Sequence, residues 1–242
     1  AYWAHRVEMR QGRPIESIRY LEVSAREIDS FYGVVSRHAL GQQINISFAL
    51  PEIDAGFYSW LSARPGGKRI FALLQLGETH SAERELRSLW MEMPEQYRLG
   101  VMRFASEHGM AGLSFRVAEI IRKDTGVSWY GALYPHPQFK IDYDIDEALV
   151  WAISRQESGF NPRAKSSAKA AGLMQLMPAT ASFIARDRGY RGRKRHQLFE
   201  PELNLRLGQN YIQHLLDEPL VESSLIRLLA AYNGGPGNLR KW

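Results

Sequence analysis

The chain contains no cysteine. Disulfides, thiolate metal sites and a cysteine nucleophile are therefore excluded. The compartment stays open, because an exported protein of this size needs no disulfide staples. A long apolar run is also missing. A membrane span needs about 18 residues, and the longest compact apolar stretches, such as Phe71–Leu74 and Leu228–Tyr232, are core-sized. The seven histidines show no HExxH or other close ligand spacing, so no metal site or cofactor is expected. No initiator Met and no signal segment stand at Ala1, so the chain reads as processed or partial and export has to be inferred from other features. Strand-like alternation is scarce as well. It is confined to Gln43–Phe48, which reads as an extended connector.

What is present is ordinary in amount and uneven in placement. Hydrophobic residues make up 45% of 242 and charged residues 24%, values of a globular chain long enough for more than one domain of about 150 residues. The net charge is +5. Residues 1–127 carry 16 basic and 15 acidic side chains, whereas 128–242 carry 15 and 11. Much of that excess sits in Arg186, Arg188, Arg191, Arg193, Lys194 and Arg195. Such a run suits an acidic partner, whether nucleic acid, anionic lipid or cell-wall polymer. Gly189 and Gly192 interrupt any helical stripe, and a solvated basic loop is the simpler account of the run.

Residues 1–126 read as short helices. The spacing predicts Tyr2–Gln11, Ile15–Ile28, Phe31–Leu40, Pro51–Ala63, Lys68–Leu76, Ala82–Met91, Pro94–His108 and Leu113–Lys123. Turns are expected at Arg64-Pro65-Gly66-Gly67, Gly77, Met93-Pro94 and Gly109–Gly112. Helix pairs of this length suggest the end of an α-solenoid. Val127–Lys140, with Trp129, Tyr130, Tyr134, Pro135, Pro137 and Phe139, reads as a packed connector to a second domain, 127–242.

That domain opens with Asp144 and Glu147, spaced to cap a helix over Ala148–Gln156. Steps of three and four from Leu149, Val150 and Ile153 arrive at Glu157, at the C-terminal end of the buried stripe. Burial and the negative end of the helix dipole both favour a protonated carboxyl there, which suits a general acid. A structural glutamate paired with Arg155 or Arg163 is the competing account. Further on stand Gly172-Leu-Met-Gln-Leu-Met-Pro178 and Ala231-Tyr-Asn-Gly-Gly-Pro-Gly237. The first sets an amide beside two soft Met side chains, and the second ends a leucine-bearing helix in a bend that lets backbone approach a ligand.

Together and in this order, Arg155-Gln-Glu-Ser-Gly-Phe-Asn-Pro162, Gly172–Pro178 and Ala231–Gly237 resemble the catalytic domain of the soluble lytic transglycosylases. The resemblance is close over Val127–Trp242, and the first half looks like the superhelical and linker region that precedes this domain. It implies an all-α chain, with a helical superhelix or linker followed by a goose-lysozyme-like domain. It further implies a periplasmic enzyme acting on peptidoglycan glycan strands, with Glu157 as the single acid and base. Ser166, Gln175, Met177, Ala231, Tyr232 and Asn233 match saccharide-binding positions, Tyr232 the tyrosine that orients the carboxylate. Glu200-Pro201-Glu202-Leu203-Asn204 departs from the family's usual Asp-Pro pattern, and the closing helix of the domain falls beyond Gly237. No nucleic-acid partner and no membrane span are expected, and other cell-wall enzymes are the partners that the resemblance suggests for the helical region. From Ser158 to Arg186 there is no Asp or Glu, whereas ordinary glycosidases use two carboxylates. A hydrolytic muramidase on the same fold and a non-catalytic cell-wall module are the alternatives.

Overall fold

The computed structural model describes residues 1–241, and among them every regular element is helical. Two compact units divide the chain within the connector read at Gln43–Phe48. The first, Ala1–Ser47, holds α1 (Tyr2–Arg10), α2 (Pro14–Ala25) and α3 (Phe31–Ala39). Pro14 opens α2 at its first turn, and the Ser30 hydroxyl caps α3 by accepting from the Gly33 N–H at 2.9 Å.

The second unit begins at Phe48 and contains two cores. Around the first lie α4 (Ala55–Ser62), α5 (Pro65–Gln75), α6 (Thr79–Ser88), α7 (Glu95–Glu107), α8 (Ala111–Thr125) and the single turn α9 (Tyr130–Leu133). Short links pair α5 with α6 and α7 with α8. Phe57, Leu61, Ile70, Met102 and Phe104 are buried among them. The expected turn at Arg64–Gly67 is instead the first turn of α5. Pro65 is tolerated there because its missing N–H would be unpaired anyway. Gly67 is required by packing: a Cβ would sit 1.9 Å from the Leu61 carbonyl oxygen. Ala132 and Leu133 tie the aromatic connector into the same core, against which Trp129 and Tyr130 pack.

The second core is built by α10 (Glu147–Ser158), α11 (Pro178–Ile184), α12 (Pro201–Leu216), α13 (Leu225–Gly234) and α14 (Pro236–Leu239). Val150, Ile153, Leu173, Met174, Leu205, Ile212 and Ala231 fill it, and Phe115 of α8 packs against both cores. The α10 cap differs from the expected one. Asp146 accepts from the Ala148 N–H at 2.9 Å, because it stands immediately before the helix. Glu147 instead accepts from Trp151 Nε1 at 3.0 Å and His136 Nε2 at 2.9 Å. Gly159, in the left-handed region at φ 56°, closes the helix with its N–H on the Arg155 carbonyl.

Candidate active site

Glu157 lies in the last turn of α10, half-buried beside a cleft of about 470 Å³. Leu149, Ala152, Ile153 and Gln156 of the same helix line one side; Leu225, Leu229, Tyr232 and Asn233 of α13 line the other. Burial pushes the Glu157 carboxyl above the usual range of a glutamate. The C-terminal end of the helix adds a negative partial charge of the same effect. Among the described residues no cation or donor holds it in a hydrogen bond or ion pair. Arg155 is committed elsewhere: its guanidinium donates to the Leu133 carbonyl at 3.2 Å and to Glu119 at 3.4 Å, and stacks over Phe115 and Tyr134. Arg163 is exposed.

Tyr232 borders this cleft and a second, adjoining one of about 240 Å³ lined by Gln175, Leu176, Met177, Thr180, Tyr211, Asn233, Gly234 and Gly235. Its hydroxyl donates to the Met174 carbonyl at 2.8 Å, and its ring lies 5.3 Å from that of Tyr211. Burial first, then the neighbouring Glu157 and Tyr211, push its ionisation well above the ordinary phenol range. The phenol therefore stays neutral beside the carboxyl, and its polar atom pins the wall of the cleft at Met174.

That wall is a short meander in which Lys165 pairs antiparallel with Ala171 and Ala171 with Leu176. Asn204 of α12, fully buried, fastens it. It accepts from the Met174 N–H at 2.8 Å and donates to the carbonyls of Ala171 and Leu198, each at 2.9 Å. Gly172, at φ +83°, lies so close that a Cβ would meet the Asn204 amide at 2.3 Å. Gln175 takes a left-handed backbone, φ 45°, a strained state for a residue with a side chain. Its side-chain nitrogen donates to the Ala164 and Gly172 carbonyls, at 3.0 and 2.9 Å. Its carbonyl oxygen is left for the cleft.

The structure thus brings Glu157, Gln175, Met177, Tyr232 and Asn233 around two adjoining hollows. Ser166 and Ala231 line neither. Ser166 closes the turn of the meander, its hydroxyl accepting from the Ala170 N–H at 3.0 Å, and Ala231 is packed in the core beneath Tyr232. Sequence reasoning gives Asn204, Leu225 and Leu229 places in helices but no part in the cleft, and it leaves Tyr211 out. A lone amide on the apolar stripe of α12, with Leu205, Leu207 and Ile212, is the signal that marks Asn204. Tyr211 stands one turn beyond Leu207 on the same helix.

A helical domain with a half-buried acid in an apolar cleft, walled by a short meander, has a lysozyme-like architecture. Residues 138–242 match the family model of the Transglycosylase SLT domain. The soluble lytic murein transglycosylase of Salmonella typhimurium is 28% identical over this whole chain, which covers 37% of the relative. Its Escherichia coli K12 counterpart is 26% identical, with the same coverage. In structure the chain is similar to the 70 kDa soluble lytic transglycosylase of Escherichia coli, with a TM-score of 0.78 and 25% identity over all of this chain and 39% of that one. It is likewise similar to an inactive Glu-to-Gln mutant of lytic transglycosylase Slt from Pseudomonas aeruginosa, at a TM-score of 0.77 and 25% identity over the same shares. Residues 138–242 thus match that domain model, and the chain is similar over its whole length to soluble lytic transglycosylases, spanning just over a third of the length of these curated relatives.

Proposed function

We propose that this chain cleaves the β-1,4 bond between N-acetylmuramic acid and N-acetylglucosamine in peptidoglycan, forming 1,6-anhydro ends, with Glu157 as acid and then base. The supporting observation is the cleft itself: among the described residues Glu157 is the one acid that lines either hollow, and burial raises its pKa. Protonated Glu157 donates to the glycosidic oxygen, the bond from that oxygen to C1 breaks, and the N-acetylglucosamine leaves as an alcohol. The acetamido oxygen of the same muramic residue stabilises the cation at C1. Ionised Glu157 then takes the proton of the C6 hydroxyl, whose oxygen attacks C1 and closes the anhydro ring. Water is not consumed, so the second carboxylate of a hydrolase has no task here.

In this reading Tyr232 positions the wall against Glu157 as a neutral phenol, Gln175 offers its free carbonyl oxygen, and Asn233 offers an exposed amide to the sugar. Met177, 40% exposed at the mouth, covers a sugar face. Ser166 holds the turn and retains its own O–H for the acetamido group, and Ala231 keeps the floor shallow. The natural compartment for this substrate is the periplasm. The split at 126/127, at the start of the aromatic connector, divides a helical region from the catalytic one.

The test is the mass of muropeptides released from purified peptidoglycan. Products ending in 1,6-anhydro-muramic acid, lost by about 10²–10⁴-fold in Glu157→Gln, are expected. Reducing ends one water heavier would mean a hydrolase and a second carboxylate still to be found. Unchanged binding with no product from either form would leave a non-catalytic glycan-binding module.

A further inference from the structure

The helix that carries Glu157 ends against a helix of the preceding region. Gly112, Phe115 and Glu119 stand at steps of three and four on α8 and so share one face. That face meets the last turn of α10 on both sides of Glu157 in sequence. Glu119 accepts from the Arg155 guanidinium at 3.4 Å, and the Phe115 ring lies 5.0 Å from that same guanidinium. Phe115 also meets the Phe160 ring edge-on, with 5.6 Å between centroids. It packs so closely on Gly159 that a Cβ there would come within 3.1 Å of the ring. At Gly112 the two backbones approach each other. A Cβ on Gly112 would stand 3.1 Å from the Phe160 carbonyl oxygen and 3.2 Å from that of Gly159.

The turn held in this way is strained. Gly159 and Phe160 both take left-handed backbone, at φ 56° and 61°. Glycine does so freely, whereas phenylalanine does so only where its surroundings fix it. Phe160 is buried, its ring packed against Phe115 of α8 and Trp151 of α10. Part of what fixes the turn after the acid therefore comes from outside α10 and outside the cleft. Gly112, Phe115 and Glu119 line neither hollow, so they have no direct part in holding the glycan. We propose that this face of α8 is a positioning surface for Glu157, fixing the last turn of α10 and with it the place of the carboxyl in the cleft. Its kinetic consequence rests on the reaction proposed above, whereas its effect on the burial of Glu157 holds whatever the substrate. A reacting group displaced by a fraction of an ångström slows the chemical step more than it weakens ground-state binding.

Three variants of the full chain separate positioning from general support. Phe115→Leu keeps an apolar side chain but takes the ring off Gly159 and Phe160. Gly112→Ala presses a methyl group on two carbonyl oxygens. Val117→Ala is the control: it is buried in the first core, off the face in question, and lowers stability there. The first readout is the carboxyl titration of Glu157 in the ligand-free chain, followed by carbon-13 NMR and assigned with Glu157→Gln. Tyr232, its titratable neighbour, stays neutral throughout that range. Burial holds the native value up, so a loosened turn that admits water is expected to bring it back toward that of an ordinary glutamate in both face variants. Val117→Ala is expected to melt lower and leave the titration in place. The second readout is turnover of glycan strands, expected to fall about tenfold in kcat with KM within about twofold for the face variants, and to hold in the control. An unmoved Glu157 titration in both face variants, or an equal shift in Val117→Ala, would overturn the proposal. So would a raised KM at unchanged kcat, which would make the face a determinant of binding. Absence of anhydro products from the native chain would sink the assigned reaction instead, and the titration would still decide the positioning.

Discussion

A carboxyl half-buried at the end of α10 keeps its proton at pH values where a solvated glutamate has lost it. In the proposed reaction the acid step needs that proton, so the rate is expected to fall on the alkaline side with an apparent pKa above the ordinary glutamate value. A pH profile with the alkaline limb at the usual 4.5 would contradict the burial argument. The same shift sets a cost in stability. Because the folded pKa is raised, the stability linked to Glu157 is fully present below the unfolded value and is lost as pH rises through the folded one. Glu157→Gln removes a charge that folding must desolvate. Its melting temperature is therefore expected to exceed that of the native chain at pH 7, with the gap closing near pH 3.5. Asn204 presents the opposite case. Asn204→Ala leaves the Met174 N–H and the Leu198 carbonyl buried without partners, a loss of about 2–4 kcal/mol or roughly 5–15 °C in melting temperature. Thermal unfolding within a degree of native would sink it.

At the scale of elements, α10 carries a cap at its start and the acid at its end. Asp146→Ala is expected to cost about 1 kcal/mol by freeing the first-turn Ala148 N–H, read as a lower urea midpoint at unchanged slope. A loss of that size in Asp144→Ala instead would restore the cap assigned from spacing. Helix periods are legible where a helix buries one stripe, as in α10, where Leu149, Val150 and Ile153 lead to Glu157. Two kinds of feature were not legible. One is backbone approach, as at Pro65–Gly67, where turn composition conceals a helix start pressed against Leu61. The other is pairing over long separations. Nothing local to Asn204 says that its amide ends 30 residues back on Met174, and nothing local to Tyr232 says that its hydroxyl lands on the carbonyl of that same residue. The resemblance supplied Tyr232, but neither Asn204 nor the bonds that tie both residues to Met174.

Across the whole molecule, the place where the chain changes texture differs from the place where its contacts thin out. The aromatic connector begins at Val127, yet α8, before it, packs Phe115 against both cores, and Arg155 of α10 stacks over Phe115 and over Tyr134 of the connector. The thin point lies earlier, at Ser47–Phe48. A chain cut before Val127 would expose Phe160, which meets Phe115 at 5.6 Å between ring centroids, and would strip Arg155 of Glu119. A chain starting at Phe48 keeps both cores and every contact of the cleft described above. Residues 48–242 are therefore expected to retain the melting temperature and glycan cleavage of the full chain, whereas 127–242 loses several degrees and part of its activity through the loosened end of α10. The comparison is made by calorimetry and muropeptide release on the two truncations side by side. Equal stability of both would mean that α8 only abuts the catalytic region. A marked loss in 48–242 would contradict this expectation.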